Sequence, residues 1–103
     1  MSEVDVRGTI LHSYTDVKDA RHLSLDSEGH VLVADCDNHR ILLLNSQLQL
    51  QRILVDKYSH ANLWYPMQLY YNELTSQLYV LHVASELSFD EPDYYAISLF
   101  RLR

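Results

Sequence analysis

The sequence predicts an all-β fold built from small antiparallel sheets, and three observations carry that prediction. Runs rich in Leu, Val, Ile and Tyr recur between polar turns, which is the composition strands favour. Gly and Pro are scarce, two of each, so Asn, Asp and Ser must make most of the turns. The order of strand and turn then repeats once along the chain.

Each element follows from its residues. Arg7–Tyr14 alternates Thr9, Leu11 and Ser13 with Ile10, His12 and Tyr14, and is expected to be a strand opened by Gly8. Residues 15–20 form a polar connection. Arg21–Asp26 is a second strand with Leu23 and Leu25 on one face. Asp26-Ser27-Glu28-Gly29 then reads as a hairpin turn, with Gly29 supplying the positive φ such turns need. His30–Asp35 and Arg40–Leu44 are strands that are apolar on both faces, so both faces must be covered. Between them, Asp35-Cys36-Asp37-Asn38-His39 is a turn whose Asp and Asn side chains can bond its own backbone. Asn45-Ser46-Gln47 turns the chain into Leu50–Val55, a wetter strand carrying Gln51 and Arg52. A helix over Ile41–Val55 is the alternative, since Leu44, Leu48 and Gln51 fall at near-helical spacing; Asn45-Ser46 would sit badly inside it. After a connection over Asp56–Tyr65 come a strand at Pro66–Tyr71, a glycine-free turn at Asn72–Ser76 and a strand at Gln77–Val83. Ala84–Tyr94 is a long acidic loop, and Tyr95–Leu102 is the last strand. Covered inner strands followed by a wetter outer strand form the gradient of a β-propeller blade, packed near the axis and splayed at the rim.

The repeat aligns Leu23–Asp26 with Leu69–Asn72, Val31–Asp35 with Leu78–His82, and Ile41–Leu44 with Ile97–Phe100. In the second copy His82 stands where the first has Asp35, and Ala96 where the first has Arg40. Acid and base disappear together, which predicts that Asp35 and Arg40 pair to brace the turn of the first copy.

Composition narrows the function. The chain has 103 residues, enough for one small domain. A net charge of −6 lacks the basic footprint of sequence-independent phosphate binding. One cysteine allows no internal disulfide. No apolar signal segment and no membrane-length apolar run is present, so a cytoplasmic location and no membrane partner are expected.

The first copy resembles the NHL repeat of β-propellers at Asp26, Gly29, Val31, Val33, Ala34, Asp35, Asn38, His39, Arg40 and Ile41, with Arg40 in place of the leucine of the repeat's name. The second copy resembles it only in strand spacing and in Leu63-x-x-Pro66. The resemblance implies six-bladed propellers, such as the C-terminal domain of tripartite-motif ubiquitin ligases, whose faces bind protein partners or RNA while the catalytic RING lies elsewhere. Naming blade strands a to d from the axis outward, residues 7–14 supply strand d, 21–55 a complete blade, and 66–102 strands a to c of a second. About two blades therefore sit in one chain. A closed ring requires either a larger chain or a homo-oligomer, a trimer in the six-bladed case.

In a blade the b–c and d–a loops share one face, which here gathers Cys36–His39, Lys57–Tyr65 and Ala84–Tyr94. Loops on a rigid scaffold are where recognition concentrates. The candidate partner-binding residues are His60, Trp64 and Tyr65 as an aromatic anchor and Glu86, Asp90, Glu91 and Asp93 as an acidic cluster. A packing role for Trp64 between blades, and plain solvation for the acidic cluster, are the competing readings. Asp26, Gly29, Asp35, Asn38, His39 and Arg40 are assigned to structure: the spacing of Asp35, Asp37, Asn38 and His39 matches no compact metal motif. Cys36 sits in a turn, where exposure is one expectation, and only His39 lies near it as a base. No catalytic residue, metal or cofactor is assigned. The expected function is a non-enzymatic scaffold for a protein or peptide partner, with single-stranded RNA disfavoured by the acidic charge. The alternatives are single-stranded RNA binding, a metal-dependent lyase or lactonase of the kind found on similar propellers, and a self-assembling fragment without activity.

Overall fold

The structure is a computed structural model that describes residues 2–4, 8–56, 63–83 and 95–102, with the backbone alone at 2–4. The described strands are β1 (Ser2–Val4), β2 (Ile10–Ser13), β3 (Ala20–Leu25), β4 (Val31–Asp35), β5 (Arg40–Leu44), β6 (Leu50–Asp56), β7 (Trp64–Asn72), β8 (Gln77–Val83) and β9 (Tyr95–Arg101), with a single 3-10 turn at Cys36–Asn38. They form three antiparallel sheets: β1–β2, β3–β4–β5–β6 and β7–β8–β9. Spatial order equals sequence order in each sheet, so the protein is all-β and its two larger sheets are meanders, as propeller blades are. No helix of the described residues is long and apolar enough to cross a membrane.

The first blade follows the expected gradient. Every residue of β4 is buried, whereas β6 is exposed from Leu50 to Ile53. One face of the sheet carries Leu32, Ala34, Ile41 and Val55, which pack on Leu63, Leu69, Leu78 and Val80 of the second blade. The opposite face buries Val31, Val33, Leu42, Leu44 and Leu48, with Tyr14 and Val17 laid over them. Apolar residues on both faces of β4 and β5 are thus both satisfied, each buried Leu or Val contributing about 1.5–3 kcal/mol relative to exposure.

The turns are built by side chains. Asp26 Oδ1 accepts the N–H groups of Glu28 and His30, and Gly29 takes φ +85°. Asn45 Oδ1 accepts the N–H groups of Gln47 and Gln49, which turns β5 into β6. The helical alternative over Ile41–Val55 therefore fails: that segment is two paired strands, Leu43 opposite Arg52, and the apparent helical spacing arose from an apolar residue in the turn, Leu48, facing the core.

At the N-terminus the expected strand over Arg7–Tyr14 is realised as Ile10–Ser13, and it pairs with Ser2–Val4. That partner strand went unread because its short span shows no apolar alternation. The strand expected at Pro66–Tyr71 begins earlier, at Trp64, and ends at Asn72. Cys36 is buried rather than exposed, since its turn is folded inward under the Lys18–Asp19 segment.

Candidate interaction face

Asp35 organises the loop end of the first blade. It ends β4 with its side chain fully buried, opposite Arg40 in the β4–β5 ladder. Its Oδ2 accepts from Arg40 Nε at 2.7 Å and from the Asn38 amide at 2.9 Å, and its Oδ1 accepts the Lys18 N–H at 2.7 Å. One carboxylate thereby ties the β4–β5 turn to the segment that leads into β3. Arg40 extends the tie by donating from Nη2 to the Asp16 carbonyl. Burial works against the Arg40 charge, but the bond to Asp35 and the attraction of Asp35 and Asp16 outweigh it and hold the pKa above its ordinary value. Two backbone bonds close the same corner, Cys36 N–H to Asp19 and Asp37 N–H to Lys18. The Asp35–Arg40 pairing expected from the repeat is therefore present, and Asn38 joins it.

His39 links this corner to the second blade. It sits in the left-handed region, φ 54°, at the end of the 3-10 turn. Its Nδ1 accepts the Tyr65 N–H at 3.0 Å, so that nitrogen carries no proton in this arrangement. The ring lies edge-on to Trp64, centroids 4.9 Å apart, and to Tyr65, 4.3 Å apart. Tyr65 itself takes φ 49°, a rare conformation for a bulky residue, immediately before Pro66. Such backbone costs about 1–3 kcal/mol and persists only where surroundings hold it; here the bond to His39 and the first residues of β7 do so. Trp64 and Tyr65 are half-buried, packed against His39 on one side.

Of the expected partner-binding residues, Trp64 and Tyr65 come together with His39, which sequence reasoning placed in the structural set. His60, Glu86, Asp90, Glu91 and Asp93 lie outside the described residues. Asp26 and Gly29 belong to the opposite end of the blade, where Asp26 also contacts the His30 ring at 2.9 Å. Burial raises the cost of the Asp26 charge, but the bonds from His30 N–H, the His30 ring and Glu28 N–H more than offset it and lower its pKa.

Two contacts between the blades were missed. His22 Nδ1 accepts the Leu69 N–H at 3.0 Å. Glu73 accepts from both Ser27 N–H and Ser27 Oγ at 2.6 Å. Neither contact leaves a local signal, because the partners are more than forty residues apart. Asp19, Cys36 and Asp37 bring ligand-type atoms within 4.8 Å of one another. Burial pushes the Cys36 thiol up to about 11, against the pull of Arg21, and Arg21 Nε already holds Asp19 at 2.8 Å. That chemistry suits a closed corner better than a metal cage or a nucleophile.

Residues 20–42 match the NHL repeat, a span that runs from the start of β3 into β5. No curated protein matches the chain. The matched repeat is consistent with an NHL-repeat domain and suggests a β-propeller protein-interaction module.

Proposed function

We propose that this chain is a non-enzymatic scaffold whose loop face binds a protein or peptide partner, with Trp64 and Tyr65 as the anchor. The observation that carries this reading is the grouping of both aromatic rings around His39, on a strained Tyr65 backbone, at the end of a rigid blade. Half-buried aromatics are the residues that most often dominate a binding interface. The acidic residues Glu86, Asp90, Glu91 and Asp93, which fall between β8 and β9 in the sequence, favour a partner segment carrying Lys or Arg. The same acidity disfavours RNA, whose phosphates would require the opposite charge. A cytoplasmic setting fits the lone, buried cysteine.

Trp64 is the chain's only tryptophan, so its emission reports on this face directly. A library of Lys- and Arg-containing peptides is expected to shift that emission, and Tyr65→Ala to weaken the selected peptide by about tenfold or more. Tight, salt-sensitive binding of a poly-uridine strand with no peptide response would replace this reading with RNA recognition.

A further inference from the structure

The repeat fixes which face of each blade is which. In the first blade, Ser24, Leu32, Ala34, Ile41 and Leu43 share the face turned to the second blade. The alignment of the copies carries them onto Tyr70, Tyr79, Leu81, Ile97 and Leu99, which share one face of β7–β8–β9. That face is uncovered: Tyr70 is 65% exposed, Ile97 74% and Leu99 52%. A shallow groove of about 200 Å³ runs along it, lined by Gln68, Tyr70, Tyr79, Leu81 and Ile97. Exposed contiguous apolar surface of this kind marks an interface.

Within the chain, the equivalent face of the first blade is covered by one particular kind of surface. That surface is the opposite blade face, formed in the second blade by Leu69, Leu78 and Val80. The first blade carries the corresponding face: the alignment places Leu23, Leu25, Val31 and Val33 on it, and Val31 and Val33 are already buried beneath Tyr14 and Val17. Leu23 is 49% exposed and Leu25 71%, beside the Tyr14–Val17 cover. The described residues thus leave the Tyr70–Ile97–Leu99 face open at one flank and, at the other, the part of the opposite face that Tyr14 and Val17 do not cover, Leu23 and Leu25.

Two strand edges match in the same way. Among the described residues the sheet β7–β8–β9 has three strands where the first blade has four, and β9 is its edge. β2 is exposed at all four of its residues, including Ile10 and Leu11. It runs into β3 through residues 14–19, so a sheet that took up β2 would be set beside the Leu23–Leu25 flank.

From this juxtaposition we infer that the exposed face of β7–β8–β9 docks a second copy of this chain head to tail. The second copy brings its Leu23–Leu25 flank against Tyr70, Ile97 and Leu99 and offers β2 to the open β9 edge. The contact extends between copies the apolar blade-on-blade packing present within one, through the Leu23 and Leu25 that Tyr14 and Val17 leave open. It is heterologous, so it closes into a ring or propagates.

The test uses two variants at exposed positions, Ile97→Glu and Leu25→Glu, with circular dichroism to establish that each keeps its strands. Light scattering of the unaltered chain is expected to give a mass above 12.1 kDa that rises with concentration. Each variant alone is expected to lose association by about tenfold to a hundredfold, the effect of spoiling one central apolar anchor. An equimolar mixture of the two is expected to recover a two-copy complex, because each variant keeps the flank that the other lacks. A monomeric unaltered chain at its highest soluble concentration would overturn the inference. So would a mixture that stays monomeric, or a Leu25→Glu variant that associates as the unaltered chain does, which would indicate pairing of like faces. These readouts are masses and do not depend on peptide binding at Trp64.

Discussion

The two blades solve one problem with different chemistry. At the inner end of the b–c hairpin, the first blade pairs Asp35 with Arg40 and the second pairs His82 with Ala96 at the same ladder position. Asp35 is a buried anion with three donors on it, drawn from the turn, the next strand and the preceding connection. His82 is also buried, but its bonds are local. Its Nδ1 lies 2.8 Å from the Val83 carbonyl, which can only accept, so Nδ1 carries the proton; its Nε2 lies 2.7 Å from Ser98 Oγ. A buried charge can gather partners from distant segments because leaving it alone is so costly. A ring bonded to its own strand and to β9 satisfies itself within its sheet and takes no partner from another segment among the described residues. The ion-paired corner therefore stitches the Asp16–Asp19 segment to its blade, and the His82 corner leaves its blade without an equivalent strap among the described residues.

Removing the anion breaks this contrast most severely. Asp35→Ala leaves Arg40, the Asn38 amide and the Lys18 N–H without their acceptor in a buried corner, and is expected to cost about 3–5 kcal/mol. Against a total stability of about 5–15 kcal/mol for a domain, that puts the folded state at risk. Urea unfolding of Asp35→Ala, Arg40→Ala and the double variant measures it. The double variant is expected to fall short of the sum by more than about 1 kcal/mol, and strict additivity would mean the two side chains act separately.

The tie between the blades ranks next. His39→Leu keeps bulk but removes the acceptor of the Tyr65 N–H, leaving a half-buried donor and a strained backbone without its restraint. The expected loss is about 1–3 kcal/mol. If the strain at Tyr65 depends on this bond, the variant also shifts the Trp64 emission before any denaturant is added. An unchanged spectrum would mean that β7 alone holds the conformation.

Ser98→Ala tests the His82 corner. It deprives His82 Nε2 of its partner while Nδ1 keeps its bond to Val83, so the expected cost is about 1 kcal/mol, well below that of Asp35→Ala. Equal costs at the two corners would remove the distinction between them.

How much of this was legible in the sequence follows from the same contrast. The Asp35–Arg40 pair could be read because its residues are five apart and vanish together from the second copy. The strands of both blades could be read because Val31–Asp35 and Gln77–Val83 are short, largely apolar runs bounded by polar turns. β1 could not be read, since Ser2-Glu3-Val4 carries no period of its own and is a strand only because β2 lies beside it. The candidate face was legible in part. Trp64 and Tyr65 stand out as residue types, but the role of His39 depends on a bond to a residue twenty-six positions away. His22 and Glu73 were invisible for that reason too: each meets its partner through the packing of one blade on the other, which no local pattern encodes.

A comparably small effect, which also fades with acid, separates the outer turns, where Asp26 of the first blade corresponds to Asn72 of the second. Asn72 Oδ1 accepts one N–H, that of Leu74, whereas Asp26 holds two N–H groups and the His30 ring. Only the aspartate titrates. Its folded pKa lies below the unfolded value of 3.8, so the folded state binds that proton less tightly than the unfolded one. The stability it adds is fully present above that value and disappears as pH falls below it through the folded pKa. Asp26→Asn copies the second blade's turn into the first. It is expected to cost about 1 kcal/mol at neutral pH, where the charge strengthens the bonds it accepts. Below pH 3.8 the gap between variant and parent should narrow. Urea unfolding of both proteins down the acid limb measures the difference, in which the other carboxylates cancel. A gap that stays constant with pH would mean that Asp26 and Asn72 brace their turns in the same way, by shape and not by charge.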